Sequence, residues 1–221
     1  MKYYPVNLDV RDKKCLVIGG GGVGARKAET LAACGADVTV LSPAFSERCR
    51  SLESRGVRLS GKPYAKEDLA GVFLVFAATD DASLNRTIKE HAEERNILCN
   101  IADWPDGSAF TLPACVSRGD LLLTVSTAGK SPAVAKRVRR ALEEQFGTEY
   151  ETLLVLMGRI REKLLGQRRD PAAHKQQFNT LLDSGLLDLI GKGDKPAVDN
   201  LLKEVLGEGF EFDNLMAQEG V

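Results

Sequence analysis

The sequence predicts an α/β fold, a doubly wound parallel sheet that is followed by a small all-helical C-terminal domain. Up to residue 113 short apolar runs alternate with segments of helical periodicity, whereas beyond residue 148 only helical periodicity remains. A glycine cluster joins the first apolar run to the first helical segment. Strands separated by helices of this length pair in parallel, with both sheet faces covered.

Taken in order, "KKCLVIG" is a buried strand and "GGVGARKAETLAACG" a helix closed by glycine. "ADVTVLSP" is the next strand, "AFSERCRSLESRG" a helix, "VRLSG" a weak strand and "GVFLVFAATD" a strong one. "DASLNRTIKEHAEERN" is a helix with Leu84, Ile88 and Ala92 on its apolar face, and with His91 read as exposed. "ILCNIAD" is the fifth strand. The rhythm then changes, because "ACVSRGDLLLTVSTAG" holds two runs joined by Arg118-Gly119-Asp120, the pattern of a hairpin. "SPAVAKRVRRALEEQFG" is a helix with Ser131 as N-cap, Pro132 at its first position and Gly147 past its end. "EYETLLVLMGRIREKLLG", "HKQQFNTLLDSGLLDLI" and "PAVDNLLKEVLG" read as three amphipathic helices. The expected division is a dinucleotide-binding domain at 1–113, a hairpin and basic helix at 114–148 and a helical domain at 149–221.

Composition narrows the function. With 221 residues, 43% apolar and 28% charged, the chain is an ordinary globular mix, and a net charge of −1 gives no global pull towards nucleic acid or membrane. The N-terminus lacks a signal-peptide core and no apolar run approaches the ~18 residues of a membrane span, so a cytoplasmic location is expected. Five scattered cysteines form no CxxC pair, which argues against a disulfide framework or structural zinc. Two histidines cannot build a histidine-rich metal site, and no protein-held metal is expected.

Four places carry chemistry. Gly19, Gly21 and Gly24 satisfy G-x-G-x-x-G after a strand and at the opening of a helix, a Rossmann-like arrangement. The first glycine permits the turn, the second lets backbone approach a pyrophosphate, and the third packs helix on strand. The acid usual at the end of the second strand is missing from "VTVLSPAF". There Ser42 offers one hydrogen bond to a ribose, and Pro43 and Ala44 offer backbone to an adenosine. Arg26 and Lys27 lie too early in the helix to identify a 2′-phosphate, so NAD and NADP both stay open at this position. At the end of the fourth strand Thr79 borders the crevice, and Asp81 is read as a helix cap. At the end of the fifth strand Asn100 and Asp103 reach the same edge, and Asn100 is expected to contact substrate there. Asp103, among apolar neighbours, is read either as a cap or as a general base with a raised pKa, and Asp106 as a turn residue. The helix after Ser131 carries Val134, Val138, Ala141 and Leu142 on one face and Lys136, Arg137, Arg139 and Arg140 on the other. Before it, "STAGKSP" (Ser126, Thr127, Lys130 and Ser131 among its residues) is a small-residue loop whose free amides suit an anion. An acidic small molecule is the expected ligand. Nucleic acid is not expected, since no aromatics interleave with the basic residues.

"CLVIGGGGVGARKAETLAACGADVTVLSP", "FAATDDASLN", "CNIADWPDGSAFTLPA" and "VSTAGKSPAVAKRVRRALE" resemble, in order, the dehydrogenase/ferrochelatase module of siroheme synthase, the precorrin-2 dehydrogenase family. The resemblance covers roughly the first 150 residues and implies NAD-dependent oxidation of precorrin-2 to sirohydrochlorin. In bifunctional members Fe²⁺ is then inserted as the substrate of a chelatase step; other members are dehydrogenases only. It implies Asp103 as the catalytic carboxylate and cofactor contacts at Gly22, Val23, Pro43 and Ala44. It also implies a homodimer formed by about Ala114 to Gly147, which makes 114–148 the dimerisation segment. An octacarboxylate tetrapyrrole suits Arg137 and Arg140. Two rival readings differ in what they require: a nucleotide-sensing domain needs no acid at the crevice and no basic helix, and another NAD(P) oxidoreductase more often shows Lys, His or Tyr beside the nicotinamide.

Overall fold

The computed structural model describes residues 2–102, 104–166 and 171–217. The chain divides into two compact units, Met1–Leu112 and Pro113–Val221.

The first unit runs β1 (Lys14–Gly20), α1 (Gly22–Ala33), β2 (Asp37–Phe45), α2 (Glu47–Arg50), β3 (Arg58–Ser60), β4 (Leu74–Ala77), α3 (Ala82–Glu93) and β5 (Leu98–Ile101). The strands form one parallel sheet in the order β3-β2-β1-β4-β5, so the direction of winding reverses between β1 and β4. All four residues of β4 are buried, as are Cys15 to Gly20 in β1, which is why these runs are uniformly apolar and do not alternate. Ala25, Ala28 and Leu31 of α1 pack on one face against Val17, Val40 and Phe76. Ile88 and Ala92 of α3 pack on the other, against Val75, Ala77 and Cys99. Burial of a side chain such as Ile88 contributes about 1.5–3 kcal/mol. Phe110, arriving after β5, meets Phe76 edge-on with ring centroids 5.6 Å apart, on the α1 face. Cys15 and Cys99 are buried in these two layers, and burial pushes both thiols up to about 11.

Three expectations need correction here. The second strand does not stop at Pro43 but runs to Phe45, with a register shift opposite Ile18 and Gly20. The helix expected after it is four residues long before the chain tightens into a 3₁₀ turn, Ser51–Arg55. The hydroxyls of Ser51 and Ser54 donate to the carbonyls of Arg48 and Ser51, three residues back, and such local bonds compete with a regular helix. His91 is half-buried, with Nδ1 3.1 Å from the Tyr64 hydroxyl.

In the second unit β6 (Ala114–Arg118) and β7 (Leu121–Val125) form an antiparallel hairpin whose turn is Gly119-Asp120. Next come α4 (Pro132–Gln145), α5 (Glu149–Gly166), α6 (Pro171–Asp183), α7 (Leu186–Gly191), α8 (Lys195–Leu206) and α9 (Phe212–Met216). Leu156, Ile160, Leu181, Leu186 and Leu202 build the core shared by α5 to α9. The helix expected over "HKQQFNTLLDSGLLDLI" is broken into α6 and α7, because Gly185 takes a left-handed conformation (φ 80°). No helix among the described residues is long and apolar enough to cross a membrane.

Candidate functional site

The turn from β1 into α1 is built by close approach. Gly19 has φ 122°, and a Cβ there would lie 2.2 Å from the Ala78 carbonyl oxygen across the β1–β4 junction. A Cβ on Gly24 would lie 1.9 Å from the Gly19 carbonyl oxygen. Gly21 and Gly22 face open space instead. Gly21 is the N-cap and brings no side-chain bond, and the first turn holds no acid. The amides of Gly22, Val23 and Gly24 therefore keep the unpaired donors of a helix start, backed by the positive end of the helix dipole. That is a cradle for a phosphate group, at the sheet position where winding reverses and ligands bind in such folds. The residues fit a dinucleotide.

The register shift in β2 lifts Ser42, Pro43 and Ala44 out of the regular ladder. Leu41 still pairs with Ile18 and with Ser60, the last residue of β3; the next pair is Phe45 with Gly20. Pro43, which has no N–H, thus costs the sheet no bond on the β3 side. Pro43 and Ala44 are exposed beside the cradle, and Ser42 is half-buried at the same rim. Gly20 was not singled out by the motif, yet a Cβ on it would strike the Ala44 carbonyl oxygen at 2.2 Å. Its smallness lets the bulge fold over.

At the end of β4 the sequence reading found Thr79 but missed its partner. Asn85 of α3 is 1% exposed and clamps Thr79 three ways. Its Oδ1 accepts from the Thr79 amide (3.2 Å) and hydroxyl (2.7 Å), and its Nδ2 donates to the Thr79 carbonyl (3.0 Å). The donors of Thr79 are thereby spent within the protein, so at the rim it offers a packing surface rather than a hydrogen bond. The signal was a polar residue on the inward face of "DASLNRTI". Asp81 caps α3, accepting from the amides of Ser83 (2.8 Å) and Leu84 (3.1 Å). The Ser83 hydroxyl, then these amides, hold its carboxyl below the usual range.

Asn100 also differs from its expected part as a substrate ligand. It is 7% exposed and its Nδ2 donates to the Phe110 carbonyl (2.9 Å), so it secures the loop that returns over β4 and β5. Ser108, which sequence reasoning missed, accepts from the Ile101 amide (2.9 Å), and its hydroxyl lies 3.1 Å from the Trp104 carbonyl. Asp103 itself lies outside the described residues.

The remaining candidates belong to the second unit. The loop before α4 does not keep the free amides expected of it. Ala128 N–H donates to Ser126 Oγ, Lys130 N–H to the Thr127 carbonyl, and Ser131 N–H to Thr127 Oγ1. Ser131 Oγ caps Val134. A turn this self-satisfied leaves its side chains, Lys130 above all, to meet an anion. Arg137 and Arg140 are exposed on α4. Val134 and Val138, on the supposed apolar face, are 51% and 41% exposed, and α4 buries no residue fully. Among the described residues no three His, Cys, Asp or Glu side chains are grouped to hold a metal ion.

Fold and rim together define a dinucleotide-binding α/β protein. Residues 6–114 match the NAD(P)-binding family model, and residues 118–145 match that of the sirohaem biosynthesis protein central segment. The chain is 33% identical over 211 residues to siroheme synthase of Chromobacterium violaceum, covering 95% of this chain and 45% of that protein. It is 35% identical over 181 residues to siroheme synthase of Methylobacillus flagellatus, covering 81% and 37%. The chain thus spans less than half the length of these relatives. Among solved structures it matches SirC, precorrin-2 dehydrogenase, with a TM-score of 0.77 and 26% identity over 92% of this chain and 98% of that one. The chain is thus similar to siroheme synthases over most of its own length, and its fold is that of SirC, precorrin-2 dehydrogenase.

Proposed function

We propose that this protein is an NAD-dependent dehydrogenase that oxidises precorrin-2 to sirohydrochlorin. The observation that carries the reading is a phosphate cradle at the β1–α1 turn in a chain that follows a precorrin-2 dehydrogenase over 98% of the latter's length. When bound, the dinucleotide supplies the hydride acceptor. The amides of Gly22 and Val23 hold its pyrophosphate, and Ser42, Pro43 and Ala44 receive the adenosine end. Removing two electrons from the macrocycle as hydride also releases a proton, and Asp103, two residues beyond β5 in the sequence, takes that proton. The same carboxylate serves to strip pyrrole N–H protons if Fe²⁺ is inserted afterwards, the reading favoured by the siroheme synthase relatives. Lys130, Arg137 and Arg140 then pair with substrate carboxylates, with the hydroxyls of Ser126, Thr127 and Ser131 beside them. The exposed Val134 and Val138 of α4 and Leu122 of β7 support a homodimer built through residues 114–147.

The test is direct. Full-length protein is mixed with precorrin-2 and NAD⁺, and NADH formation is followed by absorbance; Fe²⁺ is then added anaerobically and siroheme sought by its spectrum. NADH formation is expected. A protein that binds NADH with a Gly21-dependent affinity yet never reduces NAD⁺ with precorrin-2 is a nucleotide sensor, and the proposal fails. Siroheme without added chelatase establishes the second activity.

A further inference from the structure

Within the first unit Arg11, Arg48, Arg55 and Arg58 each place a guanidinium 2.6–2.8 Å from a carboxylate. Arg86 is arranged differently. It is exposed on the second turn of α3, and its guanidinium carbon lies 5.5 Å from the centroid of the Trp104 ring. No carboxylate among the described residues pairs with it. Side chains on a helix lean towards its N-terminus, and the N-terminus of α3 stands just past the end of β4, so Arg86 is carried towards the carboxyl rim of the sheet. Trp104, three residues past the end of β5, is 42% exposed at the same rim.

The indole is nevertheless held. A Cβ on Gly107 would come within 2.4–2.8 Å of three of its ring atoms, so only glycine lets the turn close against it. Its own carbonyl accepts from the Gly107 amide at 3.1 Å. A guanidinium set over an aromatic face is steadied by the ring, and its fork of N–H donors matches a carboxylate. An exposed indole beside it supplies apolar surface for the edge of a flat ring.

We infer that Arg86 and Trp104 form a receptor for one carboxylate-bearing corner of the macrocyclic substrate: Arg86 takes the carboxylate in a two-pronged bond and Trp104 packs on the adjoining ring periphery. The inference rests on the proposed tetrapyrrole substrate and names the side chains that orient it at this half of the rim. Arg86 is a binding and positioning residue; it takes no proton.

Trp104 is the only tryptophan in the chain, which makes it a built-in reporter. Uroporphyrin III, a stable octacarboxylate tetrapyrrole, is titrated into the intact protein while tryptophan fluorescence is read. Saturable quenching is expected, with affinity falling about tenfold or more in Arg86→Gln, at unchanged melting temperature and NADH affinity. Arg86→Lys, which keeps charge but not the fork, is expected to fall between the two. In turnover with precorrin-2, Arg86→Gln should raise KM far more than it lowers kcat. Titrations of Arg86→Gln that superimpose on wild type overturn the inference, as does a wild-type protein that turns over precorrin-2 without any quenching. Saturable Arg86-dependent quenching in a protein that never turns over supports this receptor and refutes the dehydrogenase reading instead.

Discussion

Replacing Gly24 and Gly21 separately divides the glycine turn into a part that packs and a part that binds. At Gly24 an added Cβ would sit 1.9 Å from the Gly19 carbonyl oxygen and 3.4 Å from Val17 Cγ1. Even a separation of 3.0 Å requires α1 to retreat by 3.0 − 1.9 = 1.1 Å. Overpacking of this kind costs about 1–3 kcal/mol, offset in part by about 1 kcal/mol of helix propensity gained over glycine. For a unit of this size the net cost, up to about 2 kcal/mol, is a fall in Tm of up to roughly 10 °C. The same retreat carries the first-turn amides beyond hydrogen-bonding reach of a phosphate, so NADH affinity should drop about tenfold or more. Gly21→Val is the contrast. Nothing lies within 4 Å of a Cβ there, and φ −76°, ψ −175° is extended backbone that valine adopts freely. Its Tm should stay within about 3 °C of wild type, while the side chain fills the space a pyrophosphate needs. Thermal melts and NADH fluorescence titrations read both quantities. Gly24→Ala with wild-type stability and binding, or Gly21→Val with wild-type binding, would refute this division.

Three further outcomes are expected. Asn85→Ala leaves the Thr79 amide and carbonyl unpaired and should cost about 1–3 kcal/mol in chemical denaturation, together with weaker NADH binding; stability equal to wild type removes the clamp from the account. Asp81→Ala should melt below wild type at neutral pH. Because Ser83 and Leu84 depress the folded carboxyl, that advantage of wild type is present at neutral pH and fades as pH falls through the acid range, so melts from pH 7 down to strongly acid solution should converge, and a constant gap would contradict the cap. Asp103→Ala should titrate NADH normally and form no NADH from precorrin-2, whereas retained turnover would move the base elsewhere.

The doubly wound half was legible because its strands are buried on both faces and so read as unbroken apolar runs, and because Gly19, Gly21 and Gly24 mark the one turn that must admit a phosphate. What escaped was determined by contacts that the apolar pattern does not report. Asn85 looks like any polar helix residue until Thr79 is seen beneath it, and Ser108 looks like a turn serine until it meets Ile101. Gly20 has no motif position, since its constraint is the Ala44 carbonyl, 24 residues further along the chain. The "STAGKSP" loop misled for a related reason. Small polar residues suggest free amides, but hydroxyls two to four residues away claimed them. The break at Gly185 hid because apolar periodicity continues on both sides of it.

The bulge in the second strand also bears on how such a protein changes its redox partner. Residues 42–44 hang outside the ladder, so their side chains can be exchanged without rewriting the scaffold. If the adenosine end lies beside Pro43 and Ala44 as proposed, an acid or an arginine placed at 44 would alter the charge presented to the ribose while the sheet stayed intact. On that placement, preference between the two nicotinamide coenzymes would be uncoupled from foldability, and selection could tune one without endangering the other.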